Sequence, residues 1–376
     1  MNHGKEPGRR HPAKVGAAFA LTLLAALGAP LPASASDDEV RCGAVLTSDV
    51  TLTGNLNCAG DALTIGANGV TVDLNGHTIT GDGTGRGITL EKKADVTVQN
   101  GTITRFKLGA EATESHLTFS QVQLVGNPVK ATRVSSLTLA GTPETCLAEG
   151  VDVTDFSVLT IDRCTVHGLI HGVDGRQWTV KGSTLSNGYA QLVENGSAAF
   201  TGNVFDNFPV DLVGGTNNNL YANNVFQNAS VAFRAEFSMG APNTLEDNVF
   251  RNNDFGMAFW STFYNVSVSN NLFEGNRAAG ILIDPSRTIA TNPYPIIDNV
   301  FEGNGLAPNG AADRAGNPVK DGIHVAISTG TPVKLTHNSG GGNGGFVIWG
   351  PAGQVTDGGN NHGPCGPEAN PGLDCY

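Results

Sequence analysis

A short phrase, asparagine followed by valine or leucine and then phenylalanine, recurs five times in the second half of the chain. Its asparagines are separated by 21, 24, 23 and 28 residues and stand at Asn203, Asn224, Asn248, Asn271 and Asn299. A repeat of this length cannot bury a hydrophobic face alone, so successive copies are expected to stack on one another. The repeat therefore predicts a solenoid.

The same spacing extends through most of the chain, in short segments where apolar and polar residues alternate. One apolar position per segment aligns over 222 residues in ten intervals, a mean of 22.2, at Leu74, Val98, Phe119, Leu139, Ile161, Val180, Phe200, Tyr221, Leu245, Val268 and Ile296. Alternation of period two predicts strands, and apolar residues at helical spacing are nearly absent. About three short strands fit in each repeat, which predicts one coil of an all-β parallel β-helix with roughly twelve coils.

Asparagines recur at two fixed offsets from this alignment. Those of the repeated phrase lie three places after the aligned residue, and a second set lies seven places after it, at Asn187, Asn207, Asn228 and Asn252. Asparagine tolerates left-handed turns, and its amide can both donate and accept between identical neighbours. We expect both sets to form ladders along turns; an outward row of sugar-binding amides is the alternative.

The first 35 residues have the pattern of a secretory signal peptide. Basic residues precede an apolar stretch at 15–31, and small residues at 33–35 supply a cleavage site. A membrane anchor is the alternative, but the apolar run is short and is broken by Gly28 and Pro30. We therefore expect export and no membrane span after cleavage. The mature chain would comprise a cap segment (36–69), the repeats (70–350) and a tail (351–376).

The charge of the exported chain argues against two classes of partner. Without residues 1–35 it has 18 basic and 33 acidic residues, a net charge of −15. Such a surface repels nucleic-acid phosphates and anionic lipids. We expect neither to be a partner, and we expect a monomer.

Six cysteines remain after signal cleavage, and they fall into three couples that are close in sequence. They are Cys42 and Cys58, Cys146 and Cys164, and Cys365 and Cys375. Oxidation outside the cell favours disulfides over a metal cage, and no Cys-x-x-Cys spacing is present. Fifteen connectivities are possible for six cysteines. Local pairing is favoured because the first and last couples stand at the two ends of the body.

One stretch resembles a known superfamily. Residues 70–81 read Val-Thr-Val-Asp-Leu-Asn-Gly-His-Thr-Ile-Thr-Gly, follow the segments 42–43 and 49–58, and precede the Asn-Val-Phe coils. This pattern resembles secreted bacterial right-handed parallel β-helix proteins of the pectate-lyase-like superfamily, over roughly residues 42–350. The resemblance implies the right-handed fold and says little about function, since lyases, hydrolases, epimerases and binding proteins share it.

In this superfamily a Gly-apolar-x-apolar phrase begins the strand after the asparagine turn. The phrase begins here at Gly87, Gly150, Gly172, Gly256, Gly280 and Gly322. Because strand side chains alternate in direction, the intervening residues are expected to point outward in two columns. The first would hold Thr89, Glu111, Asp152, Asp174, Arg234 and His324, and the second Glu91, Arg133, Arg176, Glu236, Trp260, Asp284 and Trp349.

These columns would gather carboxylates, guanidinium groups and tryptophans on one face. Asp152 and Asp174 would lie on adjacent coils, and carboxylates one or two coils apart, about 5 to 10 Å, suit glycoside hydrolysis. Arginine can hold a uronate carboxylate and tryptophan can stack on a sugar ring. The resemblance to pectate lyases also makes Ca²⁺ bound by Asp152 and Asp174, with Arg176 as base, a candidate arrangement. A solvent-exposed face of salt bridges is the alternative.

The sequence thus predicts an exported β-helix that binds or cleaves an extracellular polysaccharide, with a uronate-containing polymer as one candidate. Asp152, Asp174 and Arg176 are the candidate catalytic residues. The remaining outward residues, Arg133, Arg234, Glu236, Trp260, Asp284, His324 and Trp349, are candidates for substrate binding. Catalysis, as lyase or hydrolase, and the cofactor stay open, and a non-catalytic surface, adhesion or structural protein is the alternative.

Overall fold

Alternation of period two produces strands throughout the computed structural model of the protein. The structure describes residues 40–133, 135–194, 196–214, 218–236, 242–260, 266–285, 295–326, 332–367, 370 and 372–376. Within those ranges every named element is a strand, and there is no helix long and apolar enough to cross a bilayer. The expected signal peptide, residues 1–35, lies outside the described residues.

Each coil contributes one strand to each of three parallel sheets. The first sheet contains Ala44–Leu46, Leu63–Ile65, Arg86–Glu91, Leu108–Thr113, Val129–Thr132, Leu147–Thr154, Thr165–Val173, Thr184–Val193, Val210–Val213, Val231–Glu236, Phe255–Phe259, Ala279–Ile283, Ile323–Val325, Ile348–Trp349 and Cys365–Gly366. Because every pairing is parallel and joins neighbouring coils, the chain winds as a β-helix of about 13 turns. The predicted fold is confirmed.

The second sheet carries the residues aligned in the sequence. It contains Val50–Thr51, Thr71–Asp73, Val96–Thr104, His116–Val125, Ser136–Ala140, Val158–Asp162, Gln177–Lys181, Ala198–Thr201, Leu220–Ala222, Asn243–Glu246, Val266–Ser269, Ile296–Ile297, Val333–Thr336 and Val355–Asp357. The alignment from Val98 to Ile296 is confirmed pair by pair. Its first member is wrong, since Val72 and not Leu74 pairs with Val98.

The third sheet has short strands of its own and shares long strands with the other two. Its own strands are Leu56–Asn57, Thr78–Thr80, Val204–Asp206, Val225–Gln227, Val249–Arg251, Leu272–Glu274, Val300–Glu302 and Ser339–Gly341. Regular pairing therefore runs from Ala44 to Gly366 and extends beyond both ends of the range 70–350.

The phenylalanines of the repeated phrase form a continuous stack inside the coils. Phe205, Phe226, Phe250, Phe273 and Phe301 are buried, with consecutive ring centroids 4.4 to 4.8 Å apart and ring planes within 10° of parallel. Stacked rings add to the free energy gained from burying their apolar surface. This stack explains why the phrase recurs once per coil.

The asparagines of the same phrase form the predicted ladder. The Asn248 side-chain amide donates to the Asn271 Oδ1 atom at 2.9 Å, and the same oxygen accepts from the Asn248 backbone N–H at 2.9 Å. The ladder continues from Asn203 through Asn338 to Asn361, all buried. Since each amide is satisfied by the next coil, the first offset is confirmed and an outward sugar-binding row is wrong for this set.

The second predicted ladder is displaced by one residue. Asn187, Asn207, Asn228 and Asn252 are exposed residues with φ between 49° and 61°. A ladder begins one residue after the last of them and comprises Asn253, Asn276 and Asn304, which are buried, and Asn343, which is partly buried. The predicted residues supply the left-handed turn, which orients the following residue inward.

The six cysteines form three disulfides: Cys42–Cys58, Cys146–Cys164 and Cys365–Cys375. The local pairing predicted from the sequence is confirmed. The first lies at the start of the paired coils, the last at their end, and the second joins buried residues within the body. Disulfides of this kind persist in oxidising compartments.

Candidate functional site

The outward residues of the first sheet form one continuous column, which we call the outer column. In register it contains Thr64, Thr89, Glu111, Lys130, Asp152, His171, Gln191, Asp211, Arg234, Ala258, Leu282, His324 and Trp349. Thr89, Glu111, Asp152, Arg234 and His324 thus share a column as predicted. Lys130, His171, Gln191 and Asp211 also belong to this column and were not predicted.

The predicted place of Asp174 in this column is wrong. His171 pairs with Asp152, and Asp174 lies three residues later in a left-handed turn with φ 53°. The cause is Gly172, where a Cβ atom would lie 2.0 Å from the Trp178 ring. Gly172 therefore faces inward to make room for that ring and does not mark the start of the outward strand. Asp152 and Asp174 are not stacked carboxylates.

Four members of the second predicted column keep the expected offset, two residues after a member of the outer column. Glu91 and Glu236 occupy the expected backbone position, although the Glu236 side chain lies outside the described part. Trp260 and Asp284 directly follow the paired residues Phe259 and Ile283.

Three other members of that column lie elsewhere. Arg133, with φ 57°, and Arg176 are exposed turn residues. Trp349 belongs to the outer column, beside His324. These three placements were wrong because turn lengths between strands vary from coil to coil.

Two carboxylates of the outer column, Glu111 and Asp152, each contact a basic side chain on an adjacent coil. The Arg86 Nε atom lies 2.6 Å from Glu111, and the His171 Nδ1 atom lies 2.9 Å from the Asp152 Oδ1 atom. Coils stack at about 4.8 Å, so side chains in register meet directly. The column therefore combines the predicted salt-bridged face with an accessible surface.

The tightest of these pairs joins Arg234 to Asp211. The Arg234 guanidinium donates to both carboxylate oxygens, from Nε at 2.9 Å and from Nη2 at 2.5 Å. Asp211 is buried, and the centre of the guanidinium lies 5.9 Å from the centroid of the Trp260 ring. A bidentate pair that also packs on an aromatic ring fixes the orientation of all three side chains.

An open groove of about 860 Å³ lies over this pair. It is lined by Gly168, Leu169, Asn187, Gly188, Tyr189, Gln191, Asn207, Pro209, Asp211, Ser230, Val231, Arg234 and Trp260. Tyr189 is 41% exposed although its neighbour Ala190 is buried in the core. Of the predicted site residues whose side chains the structure describes, Arg234 and Trp260 line this groove. Tyr189 was missed because it lies outside the glycine phrases.

Beyond the groove, a loop at residues 303–320 covers the outer column. Val319 packs with Ala258 and Leu282 in an apolar cluster on the outside of the coils. Beneath the same loop His324 is fully buried, with its Nδ1 atom 2.8 Å from Asp321 and its Nε2 atom 3.4 Å from Asp313. The expectation that His324 is an exposed, substrate-facing residue is wrong, because this loop was not recognisable as a cover.

Two aspartates near His324 have perturbed acidity in opposite directions. Burial raises the pKa of Asp284, and hydrogen bonding and charge from Arg314 offset this only in part. Burial also raises the pKa of Asp313, but hydrogen bonds from Asn317, together with the hydrogen bond and charge of His324, outweigh it and hold that pKa below its usual value. Asp284 too is buried, so this cluster holds the loop in place and does not face a ligand.

The calcium expectation finds no fitting ligand set. In the ranges that the structure describes, no group of three or more His, Cys, Asp or Glu residues is arranged to hold a metal ion. Asp152 is instead engaged by His171. Calcium needs six or more oxygen ligands, so we derive no step through it.

The comparisons with known proteins agree with the observed architecture. The family model of the right handed beta helix region matches residues 146–339, just over half of the chain. The chain therefore belongs to the right-handed β-helix family. No functionally curated protein matches it.

Among solved structures, the chain matches that of bacteriophage CBA120 tailspike protein 3. It is 12% identical, with a TM-score of 0.49 over 79% of this chain and 50% of the tailspike. The chain thus spans about half the length of that protein.

Proposed function

We propose that the protein is exported and binds an extracellular polysaccharide in the groove over Asp211 and Arg234. The observation that carries this proposal is the pair of aromatic side chains in the groove, Tyr189 and Trp260, among the amides of Asn187, Gln191 and Asn207. Aromatic faces pack on the apolar faces of sugar rings, and amides exchange hydrogen bonds with hydroxyl groups. This combination suits a carbohydrate.

The course of the groove favours a polymer over a single sugar. Its lining residues come from successive coils, from Leu169 and Tyr189 through Pro209 and Val231 to Trp260. At about 4.8 Å per coil this is a length of roughly 20 Å. An extended chain lying across the strands would contact every coil in turn.

Export is proposed on two independent grounds. The first 35 residues have the pattern of a cleaved signal peptide. The body is joined by three disulfides, with no free cysteine among the described residues. Oxidising conditions outside the cytoplasm form and preserve such bonds.

Cleavage of the bound polymer is a second candidate function, favoured by one contact. The His171 Nδ1 atom lies 2.9 Å from the Asp152 carboxylate. When Nδ1 donates a hydrogen bond to this carboxylate, the imidazole ring is oriented and its Nε2 atom is left as the available base. The roles predicted for Asp152, Asp174 and Arg176 remain proposals. In the adhesion or structural alternative, the same surface would bind without turnover or would not bind at all.

A panel of polysaccharides separates these possibilities. Affinity measurements on the full protein test binding, and assays for unsaturated and reducing-end products, with and without chelator, test cleavage. We expect saturable binding to at least one polymer. Absence of binding across the panel would leave the structural alternative standing. Products that disappear in Asp152→Asn would establish the catalytic candidate.

A further inference from the structure

The charges inside the groove are already neutralised by each other. Among the described residues that line it, Asp211 and Arg234 are the only charged ones, and they form the bidentate pair. The remaining polar lining residues are uncharged: Asn187, Tyr189, Gln191, Asn207 and Ser230. A polyanion entering the groove would therefore find no unpaired cation.

Arg234 is held in place by its contacts with Asp211 and Trp260. Asp211 is buried with only 11% of its side chain accessible, and the guanidinium also packs over the Trp260 ring. To bind a carboxylate of the ligand, Arg234 would have to abandon Asp211 and leave a buried carboxylate uncompensated, which is strongly unfavourable. The buried aspartate thus competes directly with any anionic ligand.

The charge of the whole molecule acts in the same direction. The chain carries a formal net charge of −12. A long-range negative potential lowers the local concentration of a polyanion at the surface, and it is screened by salt. Other arginines predicted to neutralise a uronate, Arg133 and Arg176, do not line the groove.

We infer that the groove selects uncharged polysaccharides and discriminates against uronate-containing ones, with Asp211 as the specificity-determining residue. This rests on the proposed function and departs from the uronate candidate suggested by the sequence. Tyr189 and Trp260 supply surfaces on which sugar rings can stack, and the amides can exchange hydrogen bonds with sugar hydroxyl groups. Neither contact needs a charge on the ligand. Arg234 positions the Trp260 ring.

The test compares each polymer with its own carboxylated form. Affinities of the protein are measured for a glucan, a mannan and a galactan before and after oxidation of the C6 hydroxyl groups to carboxylates. We expect the protein to bind at least one neutral form, and to bind the oxidised form of the same polymer with an affinity lower by about tenfold or more. The difference between the two affinities should narrow as salt is added. Tighter binding of the oxidised form, weakened by salt, overturns the inference but leaves polysaccharide binding intact. Binding of neither form to any degree refutes the proposed function and the inference with it.

A substitution isolates the residue responsible. Asp211→Asn removes the charge that pairs with Arg234 and should raise the affinity for an oxidised polymer, relative to that for its own neutral form, about tenfold. Asp162→Asn is the matched control, because it makes the same change of charge beside Lys181 and Arg163, outside the groove. If the two variants have equal effects, the discrimination between neutral and oxidised polymers comes from the net charge of the protein, and the role of Asp211 is overturned. Should Asp211→Asn fail to fold, the comparison of polymer pairs on the unmodified protein decides.

Discussion

Asn253 donates its side-chain amide to the Oδ1 atom of Asn276 at 3.0 Å, one coil further along the helix. The same amide donates to the Phe226 carbonyl, and the Asn253 Oδ1 atom accepts from the Ala229 backbone N–H. The Asn253 side chain thus satisfies hydrogen-bonding groups on both neighbouring coils.

Replacing this ladder residue should cost stability that replacing its neighbour does not. Asn253→Ala leaves buried donors and acceptors unpaired, which costs on the order of 1 to 3 kcal/mol of unfolding free energy. Asn252→Gly should be nearly neutral, because Asn252 is exposed with φ 56°, a conformation that glycine adopts freely. Chemical denaturation of both variants measures the difference, and equal losses would contradict the ladder.

The phenylalanine stack should be the most sensitive part of the core. Phe250 is buried between Phe226 and Phe273, with ring centroids 4.7 and 4.8 Å away. Phe250→Ala creates a cavity there and should cost about 3 to 5 kcal/mol. Phe156→Ala, at a side chain that is 62% exposed, should change the midpoint of unfolding little. A small loss at Phe250 would contradict the packing described.

The loop at residues 303–320 should loosen in acid. Hydrogen bonds from Asn317, together with the hydrogen bond and charge of His324, outweigh burial and hold the pKa of Asp313 below its usual value of 3.8, so its contribution to stability is present above that pH. It is lost as pH falls through the folded-state pKa. Proteolysis of the loop should accelerate as the pH falls below 3.8, and Asp313→Asn should remove this pH dependence.

The pH dependence of stability expected from Asp284 is opposite to that expected from Asp313. Burial raises its pKa, so protonation favours the folded state, and the associated stability is lost as pH rises from 3.8 through the raised value. Asp284→Asn removes this acid-favoured contribution. The acid loss of stability should then become steeper than in the unmodified protein. A shallower dependence of the unfolding temperature on pH in Asp284→Asn than in the unmodified protein would contradict a raised pKa of Asp284.

Strand alternation and repeat length were sufficient to predict the coils, because each coil buries its apolar residues in the same way. The predicted register of the outer column was wrong at the coil where the Trp178 ring has to be accommodated. Gly172 looks like a strand-initiating glycine but accommodates Trp178, which displaced the prediction for Asp174. A sequence pattern cannot distinguish a glycine needed for a turn from one needed to make room for a ring.

The groove was predicted only in part for a related reason. Arg234 and Trp260 follow from strand alternation, whereas Tyr189 and Asp211 are brought to them by pairing between coils of unequal length. The burial of His324 depends on the loop that precedes it, residues 303–320, folding over the outer column. Such contacts depend on tertiary packing and have no local signature.

Binding of a neutral polysaccharide to aromatic variants tests the central claim most directly. Tyr189→Ala and Trp260→Ala should each weaken binding by about tenfold or more, since each removes a stacking surface in the groove. Phe156→Ala removes an exposed aromatic side chain outside the groove and should bind like the unmodified protein. Calorimetric titration of the three variants, with folding verified by thermal unfolding, gives the comparison. Unchanged affinity in both groove variants would contradict the assignment of the groove as the polysaccharide site.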